Sequence, residues 1–157
     1  MPEIIKINAG KLVGVKTSIF TIFNQEKYDL AAIPAAWQAF FRAAQATELK
    51  NQERFYGASI PSMSLDVPMD YFAGVIVDPD FKVPSGFETV NIPEGNYLSI
   101  LHAGPITEIA SSYSAAYMHE LPASGQVMRP APHLEIYNPE LDPMSADYSM
   151  FIAIPVM

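Results

Sequence analysis

An internal repeat constrains the fold of this chain more than any other feature of its sequence. When the chain is shifted by 85 positions, residues 3–17 align without gaps on residues 88–102. Both copies are predicted to form a strand, a glycine-marked turn or bulge, and a second strand. Three residue types coincide at aligned positions: Glu3 with Glu88, Ile7 with Ile92, and Gly10 with Gly95.

A helix is predicted after each copy of the repeat. In the first half, apolar residues recur at helical spacing over 33–44, and Pro34 suits the first turn of such a helix. In the second half, a comparable stripe covers 106–121 behind Gly104 and Pro105. Pro122 is expected to end this helix.

Two further strands are predicted after each helix. The segments are Phe55 to Ile60 and Tyr71 to Val77 in the first half, and His133 to Tyr137 and Tyr148 to Ile154 in the second. The pattern predicts one α+β domain over 1–157, with antiparallel sheets and two main helices flanking a ligand cleft. Its pseudo-two-fold halves are expected at 1–78 and 86–157, joined by the segment between them.

Composition excludes several classes of protein. Half of the 157 residues are hydrophobic and 17% are charged, which excludes a mainly disordered chain. A net charge of -8 disfavours direct nucleic-acid binding. The chain has no cysteine, so disulfides, thiolate metal sites and cysteine nucleophiles are excluded. Without a legible targeting segment or an apolar run of roughly 18 residues, a cytoplasmic protein with no membrane contact is expected.

Glu135 is the leading candidate among the carboxylates for a functional residue. It lies in the segment HLEIY, where strand alternation places it on the same face as His133 and Tyr137. That face is either solvent-exposed, which makes Glu135 an ordinary surface residue, or it lines the cleft. Spacing alone favours the surface, because a buried glutamate is rare unless it is paired.

Aromatic residues are the other candidates for ligand contact. Tyr113 and Tyr117 lie one turn apart, as Trp37 and Phe41 do in the first half. Helical aromatics at this spacing are more often core than pocket lining. A buried tyrosine hydroxyl needs a partner, however, which favours a place for Tyr113 at the cleft. Tyr71, at the start of its predicted strand, is also a candidate ligand contact.

No motif predicts a metal or a cofactor. His102, His119 and His133 stand alone, without metal-site spacing. No phosphate-binding glycine motif occurs, and no GxSxG nucleophile motif is present. Haem binding is not expected, and His102 is the one histidine that would be considered for it.

Several motifs in order resemble the GyrI-like small-molecule-binding domain, a family that includes the effector-binding half of some multidrug-sensing transcription regulators. The second half carries ETVNIPEGNYLSILHAGP, SYSAAYMHELPASG and HLEIY, and the first carries IPAAWQAFF, FYGASI and DYFAGVIV. The resemblance implies a tandem strand-helix-strand-strand repeat around a cleft. It also implies a glutamate of the penultimate strand at the base of an aromatic-lined pocket, a position that Glu135 matches.

Three functions remain open. The preferred one is a stand-alone binding module for hydrophobic or cationic aromatic compounds, with Glu135 as the charge and Trp37, Tyr113 and Tyr137 as aromatic contacts. The alternative implied by the family is a hydrolase of electrophilic cyclopropanes, in which Glu135 activates water and Tyr113 polarises a carbonyl. A gyrase-inhibitor-like role, in which the acidic surface meets a basic protein partner, is the third. Direct transcription control is not expected without a fused DNA-binding domain.

Overall fold

The repeated segments form equivalent strands in the computed structural model, which describes residues 2–21, 23–29 and 31–157. The first copy forms β1 (Glu3–Ile7) and β2 (Gly10–Ile19). The second copy forms β5 (Glu88–Ile92) and β6 (Gly95–Ala103). Both strands of the second copy therefore begin 85 residues after their counterparts.

The remaining strands lie close to their predicted positions. They are β3 (Phe55–Ile60), β4 (Met69–Val77), β7 (His133–Tyr137) and β8 (Ser149–Val156). The α+β class with antiparallel pairing is confirmed, and the two predicted half-sheets form one curled sheet because β3 pairs with β7.

The strand order of this sheet is β1-β6-β8-β7-β3-β4-β2-β5. When each strand is replaced by its counterpart in the other half, the order reads the same from the opposite edge. The first strand of each half pairs with the second strand of the other half: Ile7 lies opposite Gly95, and Gly10 lies opposite Ile92. At the centre of the sheet, Gly57 of β3 lies opposite Glu135 of β7. The pseudo-two-fold axis therefore passes between Gly57 and Glu135.

The two halves differ in their helices. Among its described residues, the first half has one α-helix, α1 (Ala32–Ala44). The second has a 3-10 turn (Ile106–Glu108), α2 (Ile109–Ala115), a π-turn (Ala116–Glu120) and α3 (Leu121–Ser124) in succession.

The prediction that Pro122 ends the second helix is wrong. Pro122 lies in the first turn of α3, where the missing N–H of proline is tolerated. The helix ends instead at Gly125, which has a φ of 72° and whose N–H donates to the carbonyl of Pro122. Glycine adopts this left-handed conformation without the steric cost of a Cβ.

Apolar residues cover both faces of the sheet. Strand alternation separates two clusters beneath the helices from a third cluster on the opposite face. Phe40 and Val75 belong to the cluster under α1, Leu98 and Ile152 to the cluster under α2, and Leu12, Tyr97 and Leu134 to the cluster on the opposite face. Within the described residues, no helix is long and apolar enough to cross a membrane.

Candidate functional site

A cavity of about 510 Å³ lies between the helix-bearing face of the sheet and the helical segments. Residues from the end of β2 and the loop after it, the start of α1, the end of β3, the start of β4, strand β7 and the segment 106–117 line it. The lining is mostly apolar and aromatic. Its aromatic members are Phe20, Phe23, Tyr28, Tyr113, Tyr117 and Tyr137, and its larger aliphatic members are Ile19, Ile33, Met69, Ile106, Ile109 and Met144.

Strand β7 supplies the polar centre of the cavity. Alternation along this strand directs His133, Glu135 and Tyr137 to the cavity. Glu135 is 5% exposed. Among the described residues that line the cavity, Glu135 is the one acidic side chain, and none is lysine or arginine. The cavity therefore combines an apolar lining with a single negative charge.

Three tyrosine hydroxyls from three different elements donate hydrogen bonds to the Glu135 carboxylate. Oε1 accepts from Tyr71 at 2.8 Å and from Tyr137 at 2.5 Å, and Oε2 accepts from Tyr113. Burial raises the pKa of each of these three tyrosines well above 10, and the nearby negative charge of Glu135 raises it further. All three therefore stay protonated at neutral pH and act as donors. This cage explains how a glutamate is held in the interior.

Trp37 and Gly57 hold the cage in place from behind the carboxylate. The indole Nε1–H of Trp37 donates to the Tyr71 hydroxyl at 3.0 Å. Gly57 provides the space that the carboxylate occupies, because a Cβ at this position would lie 2.6 Å from Glu135 Oε1 and would clash with the Tyr71 hydroxyl. Gly57 was not among the predicted site residues. An isolated glycine inside the strand FYGASI is nevertheless the usual signal of such a close approach.

His133 and Tyr117 form another polar pair in the cavity. The Tyr117 hydroxyl lies 2.6 Å from His133 Nδ1, and the two rings stack with an interplanar angle of 15°. The ring of Tyr113 also stacks with that of Tyr117, at an interplanar angle of 11°. Burial lowers the pKa of His133 to about 4, so the imidazole is neutral at neutral pH.

Four of the predicted site residues line the cavity, two lie behind it, and Phe41 lies outside it. Glu135, Tyr137, Tyr113 and Tyr117 line the cavity. Tyr71 and Trp37 lie behind the Glu135 carboxylate and reach it through the hydrogen bonds described above.

Phe41 does not belong to the lining of the cavity as the structure describes it. Phe41 is 42% exposed, and its ring contacts the rings of Trp37 and Phe55. Phe40 and its helical neighbours Ala36 and Ala44 form the buried stripe of α1, which places Phe41 at the margin of the helix.

Three aromatic residues of the loop after β2 line the cavity although spacing in the sequence did not predict them. Phe20, Phe23 and Tyr28 all line the cavity, and the ring of Phe23 contacts that of Tyr117 edge-to-face at 6.2 Å. A loop has no periodicity, so spacing offers no signal for the side that its residues face.

His102 has a structural environment outside the cavity. Its side chain is 2% exposed, and its Nδ1 lies 2.6 Å from the Ser112 hydroxyl. Its Nε2 lies 3.0 Å from the carbonyl oxygens of Gly104 and Pro105. Both ring nitrogens therefore join the end of β6 to the helical segment that follows. The part of the chain that the structure describes contains no cluster of three or more His, Asp or Glu able to hold a metal ion.

Solved structures share this fold. The structure of SAV2435 bound to tetraphenylphosphonium has a TM-score of 0.74 and 18% identity, covering 100% of this chain and 94% of that one. The EcmrR C-terminal domain has a TM-score of 0.72 and 13% identity, covering 100% and 97%. A hydrolase encoded by lin2189 from Listeria innocua has a TM-score of 0.55 and 16% identity, covering 99% and 91%.

Sequence comparison defines the family. No curated protein matches the chain. The family model of the GyrI-like small molecule binding domain matches residues 1–157, the whole of the sequence. The cavity and the palindromic sheet, whose strand order reads the same from both edges, are consistent with this match. The chain belongs to the GyrI-like family of small-molecule-binding domains.

Proposed function

We propose that the cavity binds lipophilic aromatic cations and that Glu135 is their counter-charge. The observation that carries this proposal is the position of one buried carboxylate in a lining that is otherwise apolar, aromatic or neutral. A charge in a site of low effective dielectric interacts several times more strongly with an opposite charge than it does in water. An apolar cation therefore gains from the lining and from the charge at once.

The tyrosine cage supports a cation rather than a neutral ligand. The hydroxyls of Tyr71, Tyr113 and Tyr137 satisfy the hydrogen-bonding capacity of Glu135 without cancelling its charge. Each phenol that donates to an anion becomes richer in electron density, which strengthens the attraction of its ring for a cation. Tyr113 and Tyr137 line the cavity and can present this density to the ligand.

Long-range charge and the structural comparison point the same way. The net charge of -8 favours the approach of cations over that of anions. SAV2435, which shares this fold, has a structure bound to tetraphenylphosphonium, and this ligand is a lipophilic aromatic cation. The proposal extends that ligand class to this chain on the evidence of its own cavity.

The Glu135→Gln variant tests the proposal, because it keeps the shape of the side chain and removes the charge. We expect tetraphenylphosphonium to bind the variant at least tenfold more weakly than the parent protein, measured by titration calorimetry. Tetraphenylborate has a similar shape and the opposite charge, so its affinity should rise in the variant. Glu140→Gln is the matched control, since Glu140 is exposed in the loop after β7. Equal affinity of parent and Glu135→Gln for the cation would contradict the proposal.

A second candidate function is hydrolysis of an electrophilic cyclopropane, favoured by the contact between Tyr113 and Glu135 at the cavity and by the fold shared with a protein named a hydrolase. Glu135 would take a proton from water as the water oxygen bonds to a ring carbon. The ring C–C bond would break, and its electron pair would move onto the adjacent carbonyl, whose oxygen accepts the Tyr113 proton.

Hydrogen-bond occupancy ranks this reaction second. A carboxylate has about four lone-pair positions, and three donors already occupy positions on Glu135. A product assay on a cyclopropyl ketone distinguishes the two functions. Hydrolysis by the parent that is lost in Glu135→Gln, with binding retained, would favour the enzyme; no turnover by the parent would exclude it for that substrate.

A further inference from the structure

The pair formed by Tyr117 and His133 is separate from the cage around Glu135. Its hydrogen bond joins the Tyr117 hydroxyl to His133 Nδ1, and neither residue bonds to the carboxylate. Both rings line the cavity. The proposed function uses the charge of Glu135 and leaves the role of this polar pair open.

The tautomer of His133 follows from which group donates in this hydrogen bond, and donation from Tyr117 is the arrangement that leaves the fewest polar groups unpaired. A phenol has one proton to donate, and within the described residues the hydroxyl of Tyr117 has His133 Nδ1 as its only partner. Donation from Tyr117 makes Nδ1 the acceptor, which places the proton of a neutral imidazole on Nε2. His133 Nε2–H is therefore a hydrogen-bond donor.

This donor has no acceptor within residues 2–21, 23–29 and 31–157. The imidazole is partly buried and belongs to the cavity lining. An apolar ligand that covered it would leave the N–H without a partner, which is costly in a desolvated site. A ligand with a suitably placed oxygen would satisfy it.

We propose that His133 Nε2–H is a second recognition point, which hydrogen-bonds a neutral acceptor oxygen of the bound ligand. This inference rests on the proposed function and narrows it to aromatic cations that carry a carbonyl oxygen. His133 and Glu135 lie two residues apart on one face of β7, a separation of roughly 7 Å along a strand. The charge and the oxygen of the ligand should therefore lie at different ends of one aromatic group. An anionic acceptor is disfavoured by the nearby carboxylate.

The test compares two probes of nearly equal shape, (4-acetylphenyl)triphenylphosphonium and (4-isopropylphenyl)triphenylphosphonium. The acetyl oxygen can accept the hydrogen bond, whereas the isopropyl group leaves the donor unpaired. We expect the parent protein to bind the acetyl probe about tenfold more tightly, as for one buried hydrogen bond. In Glu135→Gln both probes should bind more weakly with their ratio retained, since the charge is common to both.

Variants at His133 identify the donor. His133→Asn keeps an acceptor near the position of Nδ1 and removes the group at Nε2, so the ratio of affinities should fall to about one. His133→Gln places an amide N–H near the position of Nε2 and should restore part of the preference. Tyr117→Phe leaves the imidazole in place but removes the hydrogen bond that sets its tautomer. The proton can then lie on either ring nitrogen, so we expect a ratio of affinities between that of the parent and that of His133→Asn. A merely structural role for His133 would change both affinities together and leave the ratio unchanged.

The outcomes separate this inference from the proposed function. Equal affinities of the parent for the two probes would overturn the inference and leave cation binding intact, as would a preference that persists in His133→Asn. If neither cation binds, the proposed function fails, and the neutral pair 4-acetylbiphenyl and 4-isopropylbiphenyl tests the donor alone. A preference for the acetyl compound in that pair supports the recognition point, and its absence overturns it.

Discussion

Glu135 and Gly57 show how one residue in each half specialises a symmetric scaffold. They are opposite each other in the β3–β7 pair and occupy equivalent positions in the two halves. One half supplies a carboxylate, and the other supplies the absence of a side chain. The glycine of the first half thus leaves the space that the Glu135 carboxylate of the second half occupies.

The Gly57→Ala variant should disrupt the cage. Its added methyl group would contact Glu135 Oε1 and the Tyr71 hydroxyl at distances that side chains do not tolerate. We expect a loss of about 2 to 3 kcal/mol in the free energy of unfolding, the usual cost of forced overpacking. Urea denaturation measures this loss. Tyr71→Phe by itself costs the hydrogen bond to Glu135, but it removes the hydroxyl that the new methyl group would meet. Gly57→Ala should therefore cost less in the Tyr71→Phe background than in the parent protein; an equal cost in both backgrounds would refute this account.

His133 should make the stability of the protein depend on pH. Burial lowers its pKa to about 4 in the folded state, against 6.5 for an ordinary histidine. Between these values the unfolded chain binds more protons than the folded protein. The contribution of His133 to the free energy of unfolding is therefore complete above pH 6.5 and is lost as the pH falls towards 4. The loss should reach up to about 3 kcal/mol.

Denaturation at a series of pH values checks this dependence. Between pH 6.5 and 4, the free energy of unfolding should depend less steeply on pH in His133→Asn than in the parent protein. His119→Asn is the matched control for the substitution itself, since His119 is exposed on the π-turn. An identical slope in the parent and in His133→Asn would contradict the assignment.

At this scale, the sequence predicts the face of Glu135 but not its burial. Alternation in HLEIY places His133, Glu135 and Tyr137 together, as the structure shows. Whether that face is covered depends on Tyr71, which is 64 residues away along the chain, and on Tyr113. Such contacts are set by tertiary packing, which strand spacing does not encode.

Among the elements, the π-turn distinguishes the second helical segment from the first. The N–H of Leu121 donates to the carbonyl of Ala116, five residues back, where a regular helix would use a residue four back. The turn therefore contains one residue more than an α-helical turn. Such turns are frequent at functional sites, and this one begins next to the stacked rings of Tyr113 and Tyr117.

Deleting Met118 should convert the π-turn into a regular helical turn. Met118 is 58% exposed, and its removal would bring Leu121 to four residues after Ala116. We expect the variant to fold with a cost below about 1 kcal/mol, as at a surface position. Deletion of exposed Ser114 is the matched control. It lies within α2 and would rotate Tyr113 away from its partners, at a cost of about 2 to 4 kcal/mol. Equal melting temperatures for the two deletions would contradict this prediction.

The elements were the most predictable part of the fold. Short apolar runs rich in β-branched and aromatic residues located the strands, and the repeat gave β1, β2, β5 and β6 their common offset. The π-turn was not predicted, because one inserted residue barely changes the apolar stripe between Ile106 and Leu121. Helical spacing alone also did not separate the buried Phe40 from the half-exposed Phe41.

For the molecule as a whole, the palindromic sheet explains why two modules make one cavity. The axis passes beside Glu135, so the cavity draws its lining from both halves. The exchange of first strands was not predictable from alternation. The short break at Asn8 and Ala9 suits a two-residue hairpin equally well, and both pairings bury the same faces of β1 and β2. The choice depends on the complete sheet.

The exchanged strands also set the order in which the protein can assemble during synthesis. Glu3 of β1 finds its register partner at Ser99, so β1 pairs with a segment translated about a hundred residues later. Contacts of such high sequence separation form slowly. The N-terminal half must also wait for β5 before β2 is covered on its outer side. Neither half completes its own edge, so both are expected to reach the native state in one shared and late step.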